Sequence, residues 1–465
     1  MINLALGLND LGNAKRFKEL HVGKVWYCRD SGKWMAWDGQ VWRVSSVYEH
    51  GKAVLEHIKD MIDTVEDVGS RQNIVKHLDY SHTARGFQAM IALACNDEDL
   101  QTDSGMFDSN KDVIMCGGSI VDLKTSRGMA VSPDLRITMM VETAYNPAAK
   151  CPHWEEFIDK VCLGNKKLER YLHKALGYSI TGHTTEQCFF IVDGPGANGK
   201  STMAAALHEI LGPFLAYANP TTFQRHNRSA TNDIARLNKR RVIVTTEIND
   251  LTLDDSLIKR LSGDDQLVAR FLYHEEFEFS PTFKVWMMTN HKPIMDTDKA
   301  IWRRTRVIPF HATFWSPDSP EHSQGLPEFQ ADKGFLDKLR GEKEGILAWL
   351  IAGAKLWYEE GLGLPELIQS EIQEYKRQND SLSTWIEERC VLHQHAEALF
   401  NDLYNNYVEW MISCDDKPIG KDKFKHDIVR RSSGDVSIVR KEGEWVIVGL
   451  TNLTKISFTN LTEGD

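Results

Sequence analysis

The sequence predicts an α/β protein: a core of parallel strands that opens near residue 188, a mixed α+β region before it, and helices with a terminal β-hairpin after it. Three observations carry this reading. The apolar run Cys188 to Val192 leads directly into a glycine-rich turn and then a helical stretch, which is the strand–loop–helix unit of α/β folds. Two further apolar runs, Arg241 to Glu247 and Lys284 to Asn290, end in polar residues. The chain has 465 residues, enough for about three domains.

The elements follow in order. Residues 25–44 hold Trp26, Trp34, Trp37 and Trp42, separated by Asp30-Ser31-Gly32 and Asp38-Gly39. Asp-Gly is a strong hairpin signal, so a small β-meander is expected. Its tryptophans read as the core of that sheet in preference to a base-stacking platform. Residues 50–100 read as mainly helical, 106–145 as short strands and turns ending near Asn146-Pro147, and 154–182 as helical again. Pro317, Pro320 and Pro327 mark 315–334 as a linker. Helices resume at 335–360 and 365–377. The segment 381–450 reads as helices followed by strands at 436–440 and 444–448, a winged-helix-like pattern. The expected divisions are 1–150, 151–187, 188–315, 316–380 and 381–465.

Gly194, Pro195, Gly196, Ala197, Asn198, Gly199, Lys200, Ser201 and Thr202 fit G-x-x-x-x-G-K-[ST]. A strand precedes them and a helix follows, the context this phosphate-binding motif requires. Backbone N–H groups of such a loop point at phosphates, and the helix N-terminus adds a favourable dipole. Lys200 is placed for the β- and γ-phosphates, and the Ser201 hydroxyl for Mg²⁺. Glu247 ends the next apolar strand, where a carboxylate holds Mg²⁺ through water or polarises the attacking water. Many such proteins carry two adjacent acids here. This chain has Ile248 next and Asp250 beyond, so the spacing leaves metal, water or both open. Asn290 ends the following strand, with its amide expected to face the γ-phosphate or the water; a plain turn at Asn290-His-Lys-Pro293 is the bland alternative. Arg303, Arg304 and Arg306 precede a last short strand, and an arginine from a neighbouring subunit can stabilise a transferring phosphoryl group.

In this order the segments resemble the superfamily 3 helicases, more narrowly the phage/plasmid and poxvirus-type primase-helicase group within the AAA+ ATPases. The resemblance spans roughly residues 9–450 and is best from Cys151 to Phe310. Val242-Ile-Val-Thr-Thr-Glu247 is similar to its Walker B motif, Met288-Thr-Asn290 to motif C, and Trp302 to Phe310 to its arginine-finger segment. Upstream, Asn9 to Phe17, Trp34 to Gly39, Gly117 to Thr125 and Tyr171 to Tyr178 continue it. The resemblance implies an AAA+ core with a helical collar, ATP and Mg²⁺ as cofactors, and a hexameric ring moving 3′ to 5′ on single-stranded DNA. It aligns the finger with Arg304, with Arg303 as the fallback. It also implies a pore hairpin with its tip near Tyr273 and His274, where relatives often carry Lys. Tyr273 could stack on a base and His274 donate to a phosphate, with Lys259, Arg260 and Arg270 supplying charge. Primases are often fused upstream in this group. No acidic pair here sits on a plausible primase strand, so the helicase part alone is expected, with a separate primase or replication initiator as partner.

Composition sets limits. Net charge is -11 and pI about 5.9, so DNA contact must come from local basic surfaces such as a shared pore. The locally basic stretch Lys417, Lys421, Lys423, Lys425, Arg430, Arg431, Arg440 and Lys441 fits DNA or a partner protein. Eight scattered cysteines without a C-x-x-C pair indicate reduced thiols and a cytoplasmic location. The longest apolar stretch, Gly345 to Ala354, is far short of the about 20 residues a membrane span needs. Cys390-x-x-His393-x-His395 lacks the partners of a zinc site. The rival readings are an origin-binding or assembly ATPase without strong unwinding, and a P-loop kinase.

Overall fold

The computed structural model describes residues 6–225, 230–248, 251–263, 265–273, 275–295, 299–318, 325–414, 418–432 and 436–452. Among the described residues, three large hydrophobic cores and two small clusters organise it.

The first core belongs to helices α1 (Asp10–His21), α2 (Tyr48–Thr64), α3 (Val68–Ser81) and α4 (Ala84–Ala94), packed on strands β1 (Val25–Cys28), β2 (Lys33–Trp37) and β3 (Trp42–Ser45). The strands form the expected meander, extended by a two-residue fourth strand, β4 (Gln101–Thr102), parallel to β1. A strand that short has no periodicity to announce it. Trp34 and Trp42 are buried and Trp26 and Trp37 half-buried, so the tryptophans build the sheet's core. Strands β5 (Val113–Cys116), β6 (Ser119–Asp122) and β7 (Arg127–Met129) form a separate antiparallel sheet. Ile114, Cys116, Val121 and Leu123 from it join the main core, the second of the three. The region before residue 150 is thus divided between these two cores and two small clusters, one around Val41, Val113 and Ile120 and one around Met35, Trp42 and Phe107.

The main core is built around α5 (Pro152–Val161), α6 (Lys166–Ile180) and a five-stranded sheet. Its elements run β8 (Phe189–Asp193), α7 (Lys200–Leu211), β9 (Leu215–Tyr217), α8 (Ala230–Ala235), β10 (Val242–Thr246), α9 (Asp255–Leu261), the hairpin β11 (Leu267–Arg270) and β12 (Glu276–Phe279), β13 (Lys284–Thr289), α10 (Lys299–Trp302) and β14 (Thr305–Pro309). The order is β14-β8-β13-β10-β9, and every pairing in it is parallel. Parallel strands are covered on both faces, which explains the unbroken apolar runs of β8, β10 and β13. Helices α11 (Phe335–Gly341), α12 (Lys343–Glu360) and α13 (Glu366–Asn379) close the unit. α12 crosses α6 at Gly177 and Gly353: a Cβ on Gly177 would lie 2.0 Å from the Gly353 carbonyl carbon, so the two backbones touch only because both residues lack side chains.

The third core holds α14 (Ser381–Arg389), β15 (Cys390–Leu399), α15 (Phe400–Ser413), α16 (Lys421–Arg431), β16 (Ser437–Lys441) and β17 (Glu444–Asn452), around Trp385, Leu403, Tyr407, Phe424 and Ile447. The sheet order is β15-β17-β16, all antiparallel. The sequence predicts β16 and β17 but not β15. His393-Gln-His395 interrupts its alternation, and its pairing with β17 breaks between Leu392 and Glu397.

Candidate functional site

The parallel sheet brings three of the sequence-predicted segments to its carboxyl edge. Thr289 of β13 is level with Asp193 of β8, and Thr246 of β10 with Met288. The next residues, Gly194, Asn290 and Glu247, therefore follow one another across adjacent strand ends. β10 and β8 lie two strand spacings apart, about 10 Å, with Asn290 between them. The Glu247 N–H donates to the Met288 carbonyl (3.1 Å) and the Gly194 N–H to the Thr289 carbonyl (3.4 Å), tying the three ends together.

The loop 194–199 wraps this edge. Gly196, Ala197 and Gly199 have φ of 113°, 50° and 85°, so the chain turns through conformations that favour glycine. Asn198 is buried and staples the loop: its side-chain oxygen accepts from the Gly196 N–H (2.6 Å), and its Nδ2 donates to the Ala312 carbonyl (2.7 Å). Ala197 accepts from the Phe314 N–H at 2.7 Å. Lys200 is buried, donating from Nζ to the Gly194 carbonyl (2.6 Å) and to Asn198 Oδ1 (3.0 Å). Burial lowers its pKa, opposed by the negative charge of Asp193. An incoming anion thus meets a cation held by two neutral acceptors, both readily exchanged for phosphate oxygens. Ser201 and Glu247 are exposed at the same edge, Pro195 is exposed and Thr202 half-buried. Glu247 itself has φ 59°, a conformation that costs energy in a non-glycine residue and clusters at functional sites.

Beside the loop lies a cleft of ≈ 330 Å³, lined by Ala197, Gly199 and Thr202 and by the rings of Phe157, Phe314 and Phe335. Phe157 and Phe314 stack at 6.3 Å and 24°. A Cβ on Gly199 would lie 2.7 Å from the Phe157 ring, so glycine is required for the loop to reach this wall. Sequence reading missed the cleft, because its aromatics come from three segments far apart in the chain. It also missed Lys292, whose Nζ sits 3.0 Å from Asp193 Oδ2.

The arginines lie elsewhere. Thr305 is level with Phe189, at the amino ends of β14 and β8, so Arg303 and Arg304 sit at the opposite end of the sheet from the glycine loop. A five-residue strand is about 16 Å long, beyond the reach of a side chain around the sheet. Arg303 is exposed and donates to Gln187 Oε1 (3.0 Å); Arg304 is half-buried and donates to the Ala300 carbonyl (3.1 Å).

β11 and β12 form a hairpin with Phe271, Leu272 and Tyr273 exposed at its tip. Tyr273 has φ 64° and is fully exposed. His274 and Asp250 lie outside the described residues. Arg270 is exposed but faces Glu276 across the hairpin. Lys259 and Arg260 lie in the last turn of α9, Lys259 half-buried. In the C-terminal unit Lys421 and Lys423 are exposed and the Lys425 ammonium lies 3.2 Å from the centroid of the Trp445 ring. Arg431 is paired with Asp380, and Lys441 with Glu397; Lys417 and the Arg430 side chain are outside the described residues. Among the described residues no group of three or more His, Cys, Asp or Glu is placed to hold a metal, His393 and His395 included. No helix among them is long and apolar enough to cross a membrane.

The fold is a parallel α/β one with a G-x-x-x-x-G-K-[ST] loop at the carboxyl edge of its sheet. Comparison with known proteins narrows this. Residues 14–163 match the family described as D5 N terminal like, and residues 192–304 a family of unknown function. A protein of Acanthamoeba polyphaga mimivirus, carrying a helicase name, is 27% identical over 258 residues, 53% of this chain and 27% of its own length. A helicase-named protein of Frog virus 3 is 25% identical over 279 residues, 57% of this chain and 28% of its own. Primase D5 of Fowlpox virus is 26% identical over 162 residues, 33% of this chain and 20% of its own. The chain thus spans about a quarter of the length of these curated relatives. The apo structure of the NrS-1 C terminal region shares the fold, with a TM-score of 0.51 at 11% identity, covering 94% of this chain and 99% of that one. Parts of the chain are thus similar to a D5 family segment and to viral proteins with helicase or primase names.

Proposed function

We propose that this chain is the ATP-hydrolysing motor of a DNA helicase of superfamily 3, an AAA+ protein working as a ring, most simply a hexamer, on single-stranded DNA. The observation that carries the reading is the split of the site. The glycine loop, Glu247 and Asn290 share one end of the sheet while Arg303 and Arg304 occupy the other. Arginines so placed reach the nucleotide of a neighbouring subunit and not their own.

The residue roles follow from position. The loop from Gly194 to Thr202 cradles the phosphates, and the Lys200 ammonium leaves its neutral acceptors for them. ATP with Mg²⁺ fits the donor set: Mg²⁺ takes few protein ligands and completes its shell with phosphate oxygens and water, and Ser201 and Glu247 offer one hydroxyl and one carboxylate. Bound there, the ion would neutralise phosphate charge. Glu247 orients water, metal or both, and Asn290 holds the γ-phosphate or the water in line. Phe157, Phe314 and Phe335 offer the base an apolar wall. Arg304, with Arg303 beside it, stabilises charge on the neighbour's transferring group.

The hairpin tip faces DNA in this reading, with Tyr273 stacking and Arg270, Lys259 and His274 assisting. The C-terminal unit has the order helix, strand, helix, helix, strand, strand with the first strand beside the last, which supports a winged helix. α5 and α6 serve as the collar. A separate primase or replication initiator is the expected partner, and the free cysteines suit a cytoplasmic site.

A second reading has one observation behind it. Glu275, Glu276 and Glu278 are exposed on the hairpin and repel DNA phosphates, as expected of an ATPase that assembles at an origin and unwinds weakly. Strand displacement on 3′-tailed and 5′-tailed duplexes with ATP and Mg²⁺ separates the two. Unwinding of the 3′-tailed substrate alone is expected. Turnover without displacement of either rejects the helicase and leaves the assembly ATPase.

A further inference from the structure

Lys292 touches the nucleotide site without belonging to any motif assigned above. Its Nζ lies 3.0 Å from Asp193 Oδ2 and 3.9 Å from Glu371 Oε2, and all three side chains are 15–18% exposed. The ring of Tyr375 lies beneath it at 5.7 Å. Asp193 is the residue immediately before the glycine loop, and its charge is felt at Lys200. Lys292 stands two residues beyond Asn290, in a segment that α13 grips at two other points. The Tyr375 hydroxyl donates to the Pro293 carbonyl. The Asn379 side chain accepts from the Met295 N–H (2.9 Å) and donates to the Met295 carbonyl (2.6 Å).

The electrostatics give this arrangement a consequence. A triphosphate brings several negative charges to the loop, and a carboxylate at the loop's root opposes them. The group is largely shielded from water, where screening is weak. Lys292 cancels that carboxylate. Lys292 shares a short backbone segment with Asn290, so the same contact ties that segment to the root of the loop.

We propose that Lys292 is a positioning residue of the nucleotide site, neutralising Asp193 at the root of the phosphate loop and fixing the Asn290 segment between that loop and α13. This rests on the nucleotide reading given above. A lysine that merely braced the fold would alter stability when removed, and neutralising Asp193 would not repair the loss.

The test is the affinity of the folded chain for N-methylanthraniloyl-ATP with Mg²⁺, measured by fluorescence. Lys292→Met is expected to weaken binding about tenfold or more. Adding Asp193→Asn to that variant recovers most of the loss, and Lys292→Arg stays within about threefold of the wild type. Asp193→Asn alone binds at least as tightly as the wild type, which keeps the test open if Lys292→Met does not fold. Wild-type affinity in Lys292→Met, a double variant as weak as the single, or weakened binding in Asp193→Asn each overturns the proposal. Failure of the wild type itself to bind overturns the nucleotide reading, and the positioning role with it.

Discussion

At the carboxyl end of the parallel sheet, Lys200, Glu247 and Asn290 lie within two strand spacings of one another, on segments bonded to each other. At the amino end, about one strand length away, Arg303 donates to Gln187 and Arg304 to the Ala300 carbonyl. The first end holds buried Lys200 and Asn198 and the positive-φ residues Ala197 and Glu247, as expected of the phosphate site proposed above. The second carries two arginines at the strand entries, one exposed and one half-buried. In the proposed reading one fold carries both halves of a reaction without completing it, because parallel strands place successive loops at one edge and strand entries at the other.

Four changes test the contrast between the two ends. The largest effect is expected from removing the amino-end charge. Arg304→Ala should lower turnover on the order of a thousandfold while leaving nucleotide binding near wild type, read by steady-state hydrolysis and equilibrium titration. If Arg303→Ala does this instead, the finger is the exposed arginine and Arg304 is structural. Next, Lys200→Ala should cost on the order of a hundred- to a thousandfold in turnover, and unlike the arginine changes it should also weaken nucleotide binding.

A smaller effect belongs to the hairpin. Tyr273→Ala should reduce single-stranded DNA affinity by about tenfold, as measured by fluorescence anisotropy, with DNA-independent hydrolysis within about twofold of wild type. The smallest is a pH effect. Burial lowers the Lys200 pKa, so this lysine loses its proton at a lower pH than a free one. Nucleotide affinity should therefore be full at neutral pH and decline as pH rises, before the ordinary lysine range is reached. In Lys200→Arg the decline should vanish, because a guanidinium stays charged throughout. Calorimetric titration across alkaline pH reads both.

What was legible in the sequence follows the same geometry. The glycine loop, Glu247 and Asn290 each end an apolar run, so local pattern alone finds them. The hairpin at 267–279 came from the family resemblance, and the meander from Asp-Gly turns. Lys292 was not legible, since its meaning depends on Asp193, 99 positions earlier (292 − 193), and on Glu371, 79 later (371 − 292). The aromatic cleft unites Phe157, Phe314 and Phe335 by tertiary packing that no window of sequence contains. β15 was hidden because two exposed histidines and a register break disturb its alternation.

The most direct trial of the shared site is to mix two inactive proteins. Lys200→Ala subunits keep their arginines, and Arg303→Ala/Arg304→Ala subunits keep their glycine loop. Mixed at equal amounts with ATP and Mg²⁺, they should regain about a quarter of the wild-type hydrolysis rate, the share of random head-to-tail interfaces that join an intact loop to an intact arginine. Hydrolysis that stays absent at every mixing ratio, in assemblies verified to contain both subunits, would contradict a site completed between neighbours.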